Sequence, residues 1–149
     1  MPFQHCVVDA NVALLLVLKQ DLTQHAFTLF DGFFADEPRQ IHVPDVFFAE
    51  LINVLVLQTR LGKSKLPIEH ARAGLIYLNS LSYNVVATQT FAAYALELAV
   101  QHRLNGYDAI YVALAEKLKL PLVTADRKLV NAMQGLLYDI RWLGDVVQP

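Results

Sequence analysis

Short apolar segments typical of β-strands alternate with longer helical segments along the whole chain. Strands are predicted at 6–8, 40–43, 84–87, 120–124 and 140–143, and helices at 12–18, 23–34, 46–60, 67–81, 90–103, 107–118 and 127–133. Asp45 and Thr90 are predicted to cap the helices that follow them. This alternation implies right-handed crossovers. It predicts an α/β fold, a three-layer α/β/α sandwich with a mainly parallel central sheet.

The bulk composition predicts one compact domain that spans residues 1–149. A chain of 149 residues with 55% apolar content is long enough and apolar enough to bury a full core. The single cysteine, Cys6, excludes an intramolecular disulfide and is typical of a reducing compartment. The N-terminus lacks the basic region of a secretion signal, and the apolar stretch at 12–18 is too short to span a bilayer. We therefore expect a cytoplasmic protein without a membrane partner.

Four carboxylates lie in or directly after apolar segments: Asp9, Glu50, Asp108 and Asp126. An ionised carboxylate in a dry core needs a partner charge, a metal or hydrogen bonds. Two of the four follow predicted strands, and ligands of parallel sheets bind beyond the carboxyl ends of the strands. If the fold gathers all four, they form an oxygen-lined site that suits magnesium or manganese.

Three of the four acids also have a simpler interpretation, which the sequence leaves open. Asp9 and Asp126 can serve as helix caps, and Asp108 can be stabilised by the dipole of the helix that it opens. Glu50 is harder to explain in this way, because its neighbours on the helix surface include Phe47 and Val54. Glu50 is therefore the strongest single indication of a functional site.

The charge balance neither supports nor excludes a nucleic-acid substrate. The net charge is −2, from 12 basic and 14 acidic residues. Without the four candidate ligands, 10 acids remain and the balance becomes +2. Nucleic-acid binding depends on local patches of charge rather than on the net charge.

The sequence lacks the motifs of several other kinds of site. The histidines lack a spacing suited to zinc, and no glycine-rich phosphate loop or nucleophile elbow occurs.

Four segments together resemble a PIN domain, in particular the VapC-type toxins of bacterial and archaeal toxin–antitoxin modules. They are VVDAN at 7–11, PD at 44–45 with Glu50 and Asn53, YDAIYVALA at 107–115 and LVTADRKL at 122–129. The resemblance covers essentially the whole chain and implies a ribonuclease that depends on magnesium or manganese. It also implies homodimers, and a small inhibitory antitoxin whose C-terminal segment enters the active-site groove.

The resemblance assigns roles to individual residues. The acidic ligands of the family map onto Asp9, Glu50, Asp108 and Asp126, while Asn11 and Thr124 match polar positions that orient ligands or water. Apart from the resemblance, the sequence offers cations that could contact the RNA backbone: Arg127 and Lys128 beside Asp126, and a basic turn with Arg60, Lys63 and Lys65. A solvated basic loop is an equally good interpretation of that turn.

Two other classes of protein remain as alternatives. A haloacid-dehalogenase-like phosphatase would use Asp9 as a nucleophile, but it would need a second aspartate where this chain has Asn11. A non-catalytic PIN scaffold that binds RNA or protein is the stronger rival, although scaffolds of this kind usually lose their acids and this chain keeps all four.

Overall fold

A computed structural model describes residues 3–35, 39–61 and 65–148 of the chain. The strands are β1 (His5–Val8), β2 (Gln40–Pro44), β3 (Asn84–Val86), β4 (Leu122–Thr124) and β5 (Ile140–Trp142). The helices are α1 (Ala10–Leu14), α2 (Thr23–Ala35), α3 (Val46–Arg60), α4 (Ile68–Ser80), α5 (Ala92–His102), α6 (Gly106–Leu118), α7 (Arg127–Ala132) and α8 (Leu143–Val146).

The five strands form one sheet in the order β3-β2-β1-β4-β5, and every pairing within it is parallel. Cys6, Val7 and Val8 of the central strand are all fully buried. Since successive side chains of a strand point to opposite faces, both faces of the sheet are covered by other elements. The predicted three-layer α/β/α fold with a parallel central sheet is confirmed.

The direction of strand addition reverses between β1 and β4. The chain runs outward from β1 through β2 to β3, and then returns to place β4 on the other side of β1. A crevice forms at such a reversal, beyond the carboxyl ends of the two strands. Asp9 follows β1 directly, and Asp126 follows β4 after one intervening residue, so the topology brings these two acids to the same crevice.

Helix α6 packs beneath this crevice. It contacts β1, β2, β4 and α5, and its buried residues are Ala109, Tyr111, Val112, Ala113, Leu114 and Ala115. The run 109–115 is apolar on nearly all sides, which requires burial rather than a solvated face. Asp108, in the first turn of α6, is thereby held against the end of the sheet.

Three local predictions differ from the structure. Helix α1 ends at Leu14, because the following turns close through shorter bonds such as Val17 N–H to the Leu14 carbonyl. Asp45 precedes α3, but its side chain accepts hydrogen bonds from Thr88 instead of capping the helix. The Thr90 hydroxyl donates to the Ala87 carbonyl, so α5 begins at Ala92 without a side-chain cap.

Gly74 allows α4 to approach the turn that follows α1. A Cβ atom at this position would lie 2.3 Å from Val17 Cγ1. We expect Gly74→Ala to lower the free energy of unfolding by about 1–3 kcal/mol, even though alanine favours helix by up to about 1 kcal/mol. Urea unfolding measures this loss. Gly106→Ala is the control, because nothing lies within 4 Å of its added methyl group; equal losses in the two variants would contradict the packing argument.

No helix among the described residues is long and apolar enough to cross a membrane.

Candidate active site

A buried hydrogen-bond network joins the ends of β1 and β4. The Thr124 hydroxyl donates to Asp9 Oδ2 at 2.8 Å and accepts from the Asp126 backbone N–H at 3.0 Å. The Asn11 amide donates to Asp9 Oδ2 at 2.8 Å and to Thr124 Oγ1 at 3.1 Å, and its oxygen accepts from the Ala125 N–H at 2.9 Å. Asn11 and Thr124 therefore orient Asp9 and fix the chain that leads to Asp126.

Asp9 is the most deeply buried of the four acids. Its side chain is almost inaccessible to solvent and also caps α1 weakly, since the Asn11 backbone N–H lies 3.4 Å from Oδ1. Burial raises the pKa of Asp9 to about 6, and the charges of Asp108 and Asp126 add to the rise. The hydrogen bonds from Thr124 and Asn11 favour the ionised form and limit that rise.

Glu50 projects from α3 toward the same region. Burial, followed by the charge of Asp9, raises its pKa to about 7. The Tyr111 hydroxyl of α6 interacts with Glu50 and favours its ionised form. However, Glu50 Oε1 and the Tyr111 hydroxyl are both buried without a hydrogen bond of full geometry. Glu50 Oε1 is thus a buried acceptor that lacks a partner.

Asp108 and Asn105 form a reciprocal cap at the start of α6. The Asn105 side-chain oxygen accepts from the Asp108 backbone N–H at 2.9 Å, while the Asn105 amide donates to Asp108 Oδ2. Burial and then the charge of Asp126 raise the pKa of Asp108 above its ordinary value. The arrangement presents the half-buried Asp108 side chain to the other acids.

Asp126 fulfils the simple capping role that the sequence allowed. Its Oδ1 accepts from the backbone N–H groups of Lys128 and Leu129, at 2.8 Å and 3.3 Å, so it caps α7. The same carboxylate raises the pKa values of Asp9 and Asp108 through its charge. The capping and the site interpretations of Asp126 are therefore compatible.

The four acids form one electrostatic group. Asp9, Asp108 and Asp126 each raise the pKa of at least one other acid of the four, and the pKa of Glu50 is raised by the charges of Asp9 and Asp108. Within the described ranges, no lysine, arginine or histidine forms an ion pair with these acids. Within these ranges, no cluster of three or more His, Cys, Asp or Glu side chains is arranged to hold a metal ion. The donor set, which consists of oxygen and includes the unpartnered Glu50 Oε1, fits a hard divalent cation.

The candidate RNA-contacting cations fall into two groups. Arg127 and Lys128 are exposed in the first turn of α7, next to Asp126. Arg60 and Lys65 are also exposed, but Arg60 lies ten residues beyond Glu50, or about 15 Å along α3. Lys63 lies outside the described residues. The structure therefore brings Arg127 and Lys128 to the acidic site and leaves Arg60 and Lys65 remote from it.

The family model for the PIN domain matches residues 6–133, which include all four acids. The chain belongs to the PIN-domain family.

Known PIN-domain proteins and related structures resemble it over most of its length. The chain is 29% identical over 136 residues to Ribonuclease VapC3 of Pyrobaculum aerophilum. The aligned region covers 88% of this chain and 96% of that protein. The crystal structure of PAE2754, from the same organism, has a TM-score of 0.68 at 24% identity, and the match covers 95% of this chain and 85% of that one. A toxin–antitoxin complex from Klebsiella pneumoniae has a TM-score of 0.61 at 18% identity, covering 91% and 95%.

Three residues of this PIN domain gain a role that the sequence interpretation missed. Tyr111 faces Glu50, Asn105 holds Asp108, and Trp142 lies under the Arg127 guanidinium. Tyr111 carried a usable signal, because it lies one helical turn after Asp108 and places a hydroxyl in an otherwise apolar helix. Trp142 carried none, since its contact with Arg127 joins two distant segments of the chain.

Proposed function

We propose that this protein is a magnesium- or manganese-dependent ribonuclease that hydrolyses RNA phosphodiester bonds, and that it is the toxin of a type II toxin–antitoxin module. The observation that carries the proposal is the electrostatic coupling of Asp9, Glu50, Asp108 and Asp126 at the carboxyl end of a PIN-domain sheet. Similarity to a protein named Ribonuclease VapC3 supports RNA as the substrate.

In this proposal, Asp9, Glu50 and Asp108 are the main metal ligands, and Asp126 binds directly or through water. A bound divalent cation lowers the pKa of water and stabilises the negative charge that builds on the phosphate. Asn11 and Thr124 act on Asp9: their hydrogen bonds keep its carboxylate ionised and fix its orientation. The Tyr111 hydroxyl lies close enough to Glu50 to favour the ionised form of that carboxylate.

Substrate positioning falls to the cations nearest the acids. Lys128 is placed to contact a backbone phosphate of the RNA, and the charges of Arg127 and Lys128 together offset the repulsion of the acidic group. Contacts of this kind hold a strand without reading its sequence. Arg60 and Lys65 would touch only a longer RNA that extends along α3.

The proposed partners are a cognate antitoxin and a second copy of the chain, in the cytoplasm. The similarity to a toxin–antitoxin complex from Klebsiella pneumoniae supports the antitoxin. Leu96 and Val100, one helical turn apart on α5, are largely exposed, which is consistent with a covered apolar surface in a dimer. The molar mass in solution tests the dimer, and co-purification with the product of the adjacent reading frame tests the antitoxin.

A cleavage assay on single-stranded and structured RNA tests the proposed activity. We expect cleavage with Mg²⁺ or Mn²⁺, loss of cleavage in excess chelator, and recovery when the cation is restored, because the cation supplies the activation of water and the charge stabilisation that the acids alone do not. RNA that stays intact with either metal while it still binds the protein would instead indicate a non-catalytic PIN scaffold.

A further inference from the structure

A pocket of about 680 Å³ opens beside the acidic group, and the mechanism above does not use it. Ala125 and Arg127, which flank Asp126 in the chain, form one wall. Leu15 and Leu22 supply apolar surface, and Trp142 completes the lining. Gln20 and Asp21 at the rim add an amide and a carboxylate. The volume lies in the range of small-molecule binding sites.

The Arg127 guanidinium is held in place on the Trp142 ring. Its central carbon lies 3.4 Å from the ring centroid, and Nη1 lies 3.5 Å from Asp145 Oδ2. Gly144 makes room for the ring, because a Cβ atom there would lie 2.1 Å from Trp142 Cζ3. The planar cation is thus pre-positioned over an aromatic face instead of moving freely in solvent.

The strand register places this stack near the acids. Trp142 pairs with Thr124 across β4 and β5, so both side chains project from the same face of the sheet at its carboxyl end. The Thr124 hydroxyl donates a hydrogen bond to Asp9, and Arg127 directly follows Asp126 in the chain. A strand of RNA whose phosphate lies at the acids can therefore reach the pocket with an adjacent nucleotide.

We propose that this pocket binds one unpaired nucleobase of the RNA, next to the scissile phosphate, with the Arg127 guanidinium plane as the surface on which the base stacks. The inference deepens the proposed function and rests on it. Single-stranded RNA is recognised by stacking of splayed bases on aromatic and guanidinium planes. A phosphate is a poor occupant, because Asp21 and Asp145 lie close and Arg127 is already paired with Asp145. A base fills the apolar walls and can pair its edge with Gln20 and Asp21.

Intrinsic fluorescence tests the pocket directly, because Trp142 is the only tryptophan in the chain. The probes are a short single-stranded RNA and the same sugar–phosphate backbone with abasic ribose throughout, both in excess chelator to prevent cleavage. We expect the RNA to change the Trp142 emission and the abasic backbone to leave it unchanged. An equal change with both probes would show that the pocket binds the sugar–phosphate backbone, and no change with either would show that RNA does not reach the pocket; each result would overturn the inference. If the RNA changes the Trp142 emission but the protein does not cleave that RNA even with metal added, the pocket assignment stands and the proposed nuclease activity is rejected.

Kinetics on a cleaved RNA supplies the second test. A single abasic residue beside the cleavage site should lower kcat/KM of the wild type roughly tenfold, since stacking of one base contributes about that factor. Arg127→Ala should cleave RNA more slowly than the wild type, and the abasic residue should lower its kcat/KM by less than about threefold. Trp142→Phe, which keeps an aromatic surface under Arg127, should retain the wild-type response, whereas Trp142→Leu should lose it.

Arg141→Ala is the matched control for Arg127→Ala. Arg141 also stacks on an aromatic ring, that of Phe3, and pairs with Asp139, but it points away from Trp142 on the opposite face of β5. We expect Arg141→Ala to respond to the abasic residue as the wild type does. If every variant cleaves RNA and the abasic residue lowers kcat/KM by the same factor in all of them, the pocket assignment is rejected but the proposed nuclease activity is not.

Discussion

Replacing Asp9 or Asp108 with asparagine is expected to lower the rate of RNA cleavage on the order of 10³-fold, which corresponds to about 4 kcal/mol of transition-state stabilisation. Each substitution removes one negative charge from the group that would hold the cation, while the amide keeps the shape of the side chain. Asparagine can still accept from Thr124 at position 9 and from Asn105 at position 108, so only the weak bond from the Asn11 backbone N–H to Asp9 Oδ1 is lost. Cleavage rates at saturating Mg²⁺, with circular dichroism to verify folding, measure the effect.

The exposed acid Glu97 on α5 offers the control for charge alone. Glu97→Gln changes the net charge by the same amount, far from the crevice, and should cleave RNA at the wild-type rate. Wild-type activity in Asp9→Asn or in Asp108→Asn would reject the proposed metal site. Inactivity of the wild type itself, with RNA binding retained, would favour the scaffold alternative.

In excess chelator, the folded protein is expected to lose stability as the pH rises from about 4 to about 7. The pKa of Asp9 rises from 3.8 to about 6 and that of Glu50 from 4.5 to about 7. Because these folded pKa values lie above the unfolded ones, the folded state binds more protons in this window and its stability falls as they dissociate. For the fully buried Asp9, ionisation costs about 3 kcal/mol. Glu50 adds less, because solvent reaches it.

Asp9→Asn should therefore unfold at higher urea concentration than the wild type at pH 8, with a gain of about 2 kcal/mol, and the gain should shrink below pH 5. Comparing the two proteins at each pH cancels other titrating groups, such as His42. Mg²⁺ should raise the melting temperature of the wild type at pH 8 and have little effect on Asp9→Asn, because a ligand stabilises only the state that binds it. A stability difference that is independent of pH would show that Asp9 is not a buried charge.

Both predictions follow from one property of the site. The acids lower the stability of the folded protein so that a strongly negative group can exist at the carboxyl end of the sheet. A natural sequence that served folding alone would place neutral residues at positions 9 and 50, where the surroundings are largely apolar. The same acids that lower the stability of the folded protein are thus the ones that the proposed function requires.

Much of the site was predictable because it depends on local patterns. The buried run at 6–8 specifies a strand that ends at Asp9, and the run before Thr124 does the same for Asp126. A parallel sheet then delivers both acids to one edge, whatever the details of the connections. Glu50 and Asp108 were also identified from their apolar flanks, but periodicity placed them only on helices, and the resemblance to PIN domains grouped them with Asp9 and Asp126 in one site.

The class of fold, the alternation of strands and helices, and the four acids were all predictable from the order of the amino acids. The contacts at the site were not: Tyr111 lies near Glu50, Asn11 and Thr124 hydrogen-bond to Asp9, and Trp142 lies under Arg127. The same holds for Asp45, which binds Thr88 of a distant turn in place of its own helix. Strand and helix formation reflects local spacing of apolar residues, whereas these contacts join segments that are far apart in the chain. Their geometry exists only after the sheet order and the packing of α6 bring those segments together.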